Sequence, residues 1–276
     1  MTNVRTATLA ELDIVLDWAA AEGWNPGLDD AVAFFAADPD GFFVATDADD
    51  TPIAAISVVN HSPHYAFLGL YIVTPGHRGR GVGFDLWTHA IAHAGARTIG
   101  LDGVEAQQDN YAASGFRKAG GTTRYIGEVD ANREVGILPA ETQDLPALIV
   151  MEAAATGTSK PAYLTAWFNA SSHRQTFVHK TGDKITGFCT VRMCRDGAKI
   201  GPLVAETATQ AQRLLCHAAS VFPGPLIIDV PDASTGLSHL CQSRGMTPGF
   251  RTARMYRGPE PSGSHPFFAV TSLELG

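Results

Sequence analysis

The second half of this chain repeats the pattern of the first at an offset of about 133 residues, and a repeat that long calls for two copies of one fold rather than one irregular domain. Val4 to Ala20 matches Ile137 to Ala153: an extended entry, a polar turn, then a helix with apolar periodicity. In the first copy Thr8-Leu9-Ala10-Glu11 reads as a capping box, in which hydroxyl and carboxylate satisfy free amides at the helix start. Phe43 to Thr46, a turn over residues 47–52 and Ile53 to Val59 predict a hairpin. Phe177 to His179, a turn over 181–184 and Ile185 to Val191 repeat it. Gly69 to Val73 is echoed by Gly201 to Ala205. Ser114-Gly115-Phe116 with Tyr125-Ile126-Gly127 is echoed by Arg244-Gly245-Met246 with Tyr256-Arg257-Gly258. Ile99 to Leu101 and Leu226 to Val230 supply the strand before the last helix of each copy. Each copy therefore predicts strand, helix, hairpin, strand, helix, strand, helix, strand. The boundary falls near Val129 to Arg133, where Asp130, Asn132 and Arg133 interrupt the apolar pattern, giving domains over residues 1–129 and 134–276.

Charge divides unevenly between the copies. Residues 1–129 hold 7 Lys+Arg against 16 Asp+Glu, a net −9, while residues 130–276 hold 13 against 12, a net +1. Nucleic-acid binding normally needs a basic face, so that class is disfavoured, whereas an acidic half would draw a cationic substrate. No apolar run approaches the ~18–20 residues of a membrane span. Met1 to Arg5 lacks the layout of a secretory signal, so a cytoplasmic protein without membrane contact is expected. Cys189, Cys194, Cys216 and Cys241 have neither the paired spacing of a zinc site nor the density of a disulfide scaffold, so reduced core thiols and no metal are expected.

The strongest local signal runs from Leu70 to Gly83 (LYIVTPGHRGRGVG) into a helical stretch from Phe84 to Ala94. A buried-type strand leads through a glycine-rich turn into a helix, which aims consecutive amides and the positive end of the helix dipole at one spot where a pyrophosphate can sit. Glycine suits the turn because side chains would block both the bend and the approach of phosphate oxygens. A Walker loop would end in Gly-Lys-Ser/Thr, but Gly83 is followed by Phe84-Asp85. The dinucleotide fingerprint spaces its glycines differently from positions 79, 81 and 83.

Val73-x-Pro75-x-x-Arg78-Gly79-x-Gly81-x-Gly83 resembles the acyl-CoA-binding signature of the GNAT superfamily. Asn110-Tyr111-Ala112-Ala113-Ser114-Gly115-Phe116 resembles that superfamily's next motif, in which an Asn and a Tyr precede Gly-Phe. The resemblance covers residues 4–127, and residues 134–258 through the repeat. The chain is also similar to a two-domain subgroup with Glu-Gly-Trp-Asn-Pro-Gly after the first helix, here Glu22 to Gly27; that subgroup has an Arg where Lys160 stands. The resemblance implies an α/β (α+β) fold of two tandem GNAT-like domains, each a mixed, mostly antiparallel sheet flanked by helices. It also implies an N-acetyltransferase that takes acetyl-CoA and a small-molecule primary amine.

On that reading Arg78, Gly79, Arg80, Gly81, Val82 and Gly83 grip the pyrophosphate, while Ile72 and Val73 offer main chain to the pantetheine arm. Tyr111 matches the position that protonates the departing thiolate, and Asn110 would bond the arm or cap its helix. Glu22, His61, His64 and Tyr71 are candidates to relieve the acceptor ammonium of its proton, with Asp102 a weaker one. Glu22 with Trp24 would suit a loop closing over a cationic amine, since carboxylate and aromatic face both attract it. Trp24, His61 and Tyr71 are the expected substrate contacts.

At the repeat offset the cradle falls on Glu206 to Arg213 (ETATQAQR), which has no glycine, and Pro231-Asp232-Ala233-Ser234 replaces the Asn-Tyr stretch. Thr207 or Thr209 reads there as a helix cap. One cofactor site is therefore expected, with the second domain completing the acceptor pocket or serving as structure. A non-catalytic acyl-CoA sensor and a protein-lysine acetyltransferase are the alternatives, and a homodimer is left open.

Overall fold

The computed structural model describes residues 3–222 and 224–276. Its first half runs β1 (Asn3–Thr6), α1 (Leu9–Ala21), α2 (Asp30–Ala37), β2 (Phe42–Thr46), β3 (Pro52–Asn60), β4 (Tyr65–Val73), α3 (Val82–Ile91), β5 (Thr98–Val104), α4 (Gln108–Ala113) and β6 (Arg117–Gly127). The second runs β7 (Ile137–Pro139), α5 (Leu145–Thr156), α6 (Pro161–Phe168), β8 (Arg174–Thr181), β9 (Lys184–Met193) and β10 (Ala198–Ala205). It continues through α7 (Ala208–Val221), β11 (Leu226–Pro231), α8 (Thr235–Ser243), β12 (Thr247–Arg257) and an additional β13 (Phe267–Ala269).

The repeated order is the predicted one, with one helix more in each half. Both extra helices, α2 (DAVAFFAA) and α6 (PAYLTAWF), have eight residues and are nearly all apolar, so they lack the polar face that makes a period visible. They bury against each other instead: Phe34 stacks on Trp167 with ring centroids 5.9 Å apart and planes 5° from parallel. The capping box at α1 forms, with the Glu11 amide donating to Thr8 Oγ1 at 3.2 Å and the Thr8 amide to Glu11 Oε2 at 2.8 Å.

The strands form a single sheet in the order β1-β2-β3-β4-β5-β12-β6-β11-β10-β9-β8-β7, with β13 beside β10. Among the described strands only β4·β5 and β10·β11 are parallel. Each half gives its last long strand to the other: β12 lies between β5 and β6, and β6 pairs with β11. The two halves thus share one hydrogen-bond ladder. The same charge pair locks both crossings. Arg254 lies opposite Asp102 and grips it through two bonds of 2.9 and 2.7 Å; Arg124 lies opposite Asp229 with bonds of 2.7 and 2.9 Å. Such pairs are costly to break from one side, because the partner is left charged and buried.

Both parallel pairs splay. β4 and β5 are bonded only from Tyr65↔Thr98 to Leu68↔Leu101, and β10 and β11 only from Ala198↔Leu226 to Ile200↔Ile228. Beyond Ile200 the gap in the second half is taken by β13, which pairs with β10 at Leu203↔Ala269 and Val204↔Phe267. Past β13 the chain crosses to the first half. Its backbone presses on Gly201 at Val270 and on Gly69 at Glu274, leaving no room for a Cβ at either glycine.

Candidate active site

The turn after β4 makes a short 3₁₀ segment at Pro75–His77, then passes through Arg78 to Gly81 into α3. Gly79 and Gly81 have φ of 73° and 83°, the left-handed region that costs any other residue strain. Gly81 is the N-cap of α3 and has no side chain with which to close the helix start. The amides of Phe84 and Asp85 turn back to the Gly81 carbonyl, so those of Val82 and Gly83 lie ahead of the intrahelical ladder and are open to an anion. Arg78 is exposed; its Nε donates to the Val73 carbonyl at 2.8 Å and its Nη2 pairs with Glu22. Arg80 is exposed as well.

Ile72 and Val73 sit beyond the last β4·β5 bond, so one edge of β4 faces a cleft lined by both residues, Arg78, Ala106 and Gln107. Inward the cleft meets a cavity, to which Trp24, Tyr71, Val104 and Gln107 are common. Leu70 forms part of its wall with φ of 46°, where β4 slips register against β3. A left-handed, buried leucine in a strand is held strain, and strain of this kind gathers at functional sites. The second half supplies Phe250, Thr252, Leu273 and Glu274 to the same cavity.

Tyr111 is buried between the cavity and an outer groove that also holds Tyr71, Trp87 and Asn110. Its ring stacks on Trp87 at 5.8 Å, and burial, helped by the Tyr71 phenol, pushes its pKa up to about 12. The Tyr71 phenol is raised as well, by burial. Asn110 is exposed at the groove and donates to Gln107 Oε1 at 2.8 Å. The loop after α1 is pinned from both halves: Arg124 on β6 donates to the Trp24 carbonyl at 2.9 Å, and Lys199 on β10 to the Asn25 carbonyl at 2.8 Å.

The structure thus gathers Trp24, Tyr71, Ile72, Val73 and Tyr111 around one connected space, with Arg78 at its edge where the glycine turn begins. Four sequence candidates are placed otherwise. His61 is buried away from it, stacked near Tyr65 and Tyr163 with Nε2 2.8 Å from the Leu275 carbonyl; burial, and then the Lys160 charge, lower its pKa to about 3. His64 is exposed at a turn. Asp102 reaches the cavity wall but has both oxygens committed to Arg254. Glu22 stands at the mouth with its carboxylate turned to Arg78, on the side of the glycine turn rather than over the cavity. Missed by sequence reasoning were Gln107, Arg124, Phe250, Thr252 and Glu274. The recurrence of Arg124 and Asp229 as Arg254 and Asp102 was the one signal that could have revealed part of this set. Among the described residues no cluster of His, Cys, Asp and Glu could hold a metal ion, and no helix is long and apolar enough to cross a membrane.

A fold built twice, with a helix start left open in one copy alone and a splayed strand pair leading inward from it, is the architecture of a tandem acyl-CoA acyltransferase. Comparison with known proteins agrees. The model of the acetyltransferase (GNAT) family matches residues 10–120, and that of an acetyltransferase (GNAT) domain matches residues 148–266. Holothin acyltransferase of Pseudoalteromonas sp. (strain SANK 73390) is 37% identical over 279 residues, which cover 99% of this chain and 94% of that protein. A candidate acetyltransferase from Pyrococcus horikoshii superposes with a TM-score of 0.83 at 20% identity, covering 100% of this chain and 96% of that one. A tandem GNAT protein from the clavulanic acid biosynthesis pathway gives 0.63 at 16% identity, covering 94% and 99%. The chain belongs to the GNAT acetyltransferase family, as a tandem-domain acyl-CoA N-acyltransferase.

Proposed function

We propose that the protein transfers an acetyl group from acetyl-CoA to a primary amine of a small molecule, by direct attack while both reactants are held together. The observation that carries this reading is the gap between β4 and β5, which runs from the open start of α3 to a cavity walled by both halves. Holding two reactants in attack geometry supplies much of the rate without a covalent enzyme intermediate.

The donor fits the residues present. The Val82 and Gly83 amides, with Arg78 and Arg80 adding charge, would hold a pyrophosphate; the free edge of β4 at Ile72 and Val73 would line a pantetheine arm. When bound, acetyl-CoA supplies an activated thioester carbonyl. Tyr111 would keep a proton at its phenol oxygen for the departing sulfur, and its raised pKa keeps that proton in place through neutral pH and well above. Tyr71 and Trp24 would present aromatic faces to a cationic acceptor. Glu22 would order the turn through Arg78, and Asn110 would flank the arm at the outer groove.

A recessed cavity walled by both halves favours a small acceptor over a lysine on a folded protein. The name of the 37% identical relative makes holothin a reasonable first compound to try. The test is release of thiol from acetyl-CoA across a panel of primary amines, holothin included, with Gly81→Glu as the blocked control. Turnover with at least one amine, lost in the control, is expected; turnover that survives Gly81→Glu would remove the site assignment.

A further inference from the structure

Residues 270–276 form a strap along the cavity floor, and both halves hold it. Thr271 Oγ1 donates to Glu152 at 3.2 Å, and the Thr271 carbonyl accepts from Arg192 at 3.1 Å. The Leu275 amide donates to Ser272 Oγ at 3.0 Å, its carbonyl meets His61, and the Gly276 carbonyl accepts from Lys160, itself paired with Glu152 at 2.7 Å. So many buried bonds on seven residues fix whatever side chain the strap turns toward the cavity.

That side chain is Glu274. The residue is 3% exposed, lines the cavity, and its Oε2 is buried without a hydrogen-bond donor among the described residues. An ionised oxygen in that position is costly unless something donates to it. Among the neighbouring charges, Asp102 is engaged with Arg254, Arg124 with Asp229, and Lys199 with the Trp24 and Asn25 carbonyls, while Arg192 donates to the Thr271 carbonyl and pairs with Asp30 at 3.2 Å without bonding Glu274. No donor among the described residues bonds Oε2, which leaves that oxygen open to a ligand N–H. The Glu274 backbone rests on Gly69, next to the left-handed Leu70, and Tyr71 and Tyr111 line the same cavity.

We infer that Glu274 is the acceptor-binding carboxylate, which pairs with the substrate ammonium in this cavity and takes its first proton. The inference rests on the acyl-transfer reading above and supplies the proton acceptor that reading lacks. One N–H proton passes to Glu274 Oε2, leaving a neutral amine and a neutral carboxyl. The amine nitrogen bonds to the acyl carbon as the C–S bond breaks, and Tyr111 protonates the departing sulfur. A second N–H proton restores the Tyr111 phenol, and Glu274 gives up its proton to solvent when product leaves.

The experiment compares the wild type with Glu274→Gln and Glu274→Asp. Thiol release is read across the amine panel, coenzyme A affinity and thermal midpoint are measured alongside, and binding of the best amine and of its alcohol analogue is measured with coenzyme A present. Glu274→Gln is expected to lose about 100-fold or more in kcat/KM, with Glu274→Asp recovering part of it and coenzyme A affinity held within about twofold. The wild type should prefer amine to alcohol by about tenfold or more, and Glu274→Gln should lose that preference. A Glu274→Gln enzyme within about threefold of wild type overturns the assignment, as does one that loses folding or coenzyme A binding in parallel. A wild type that binds coenzyme A yet acylates no amine defeats the acyl-transfer reading itself, and this assignment with it.

Discussion

The sheet holds the same gap twice, and the two are used in opposite ways. Between β4 and β5 the splay stays open and leads from a helix whose first amides are unclosed. Between β10 and β11 the splay is filled by β13, and the helix beyond is sealed, with the Gln210 amide donating to Thr207 Oγ1 at 3.2 Å and the Thr207 amide to Gln210 Oε1 at 3.1 Å. One copy spends its backbone polar groups on itself; the other leaves them for a ligand. The fold is common to both halves, and the chemistry depends on which polar groups remain unpaired.

The comparison can be broken most severely at Gly81. A glutamate there must adopt a left-handed φ and brings negative charge to the proposed anion site, so coenzyme A affinity should fall by about 10³-fold or more in a calorimetric titration. Cutting the join between the halves comes next. Asp229→Ala strands Arg124 in the core and should cost about 3–5 kcal/mol in denaturant unfolding. Burial works against the Asp229 carboxylate, but the Arg124 guanidinium outweighs it and holds the pKa below its ordinary value. The pair's contribution is therefore complete above about pH 4 and is lost as pH falls through the lower folded value, so acid unfolding of wild type should show a loss absent from Asp229→Ala. Tyr111→Phe should lower kcat about 100-fold while leaving coenzyme A affinity unchanged. Because the wild-type phenol holds its proton to about 12, no basic limb below that pH should trace to Tyr111. The smallest effect belongs to the sealed copy: Thr207→Ala should cost about 1 kcal/mol of stability without changing coenzyme A affinity.

Much of this comparison was legible in the residues. Glycines at 79 and 81 against none in Glu206 to Arg213 set the two turns apart, and Thr207 was one of the two cap candidates, with Thr209, that the residues offered. The strand exchange was not legible, because apolar alternation in β6 and β12 marks them as strands without saying which neighbour each takes. Glu274 was hidden for a different reason. Residues 259–276 fall outside the repeat and carry no period, and a glutamate there, whether Glu260 or Glu274, looks like solvated tail. The burial of Glu274 depends on the contact of its backbone with Gly69 and on the Lys160 bond that holds Gly276, both partners more than 100 positions away in the chain. Lys160 itself looked like a departure from the subgroup pattern, yet it is buried, holding Glu152 and the strap.

The central claim is that one copy binds and the other cannot. Titrating the intact protein with coenzyme A in a calorimeter tests it most directly: a single molecule taken up per chain is predicted, and uptake of two per chain, or of none, would contradict it.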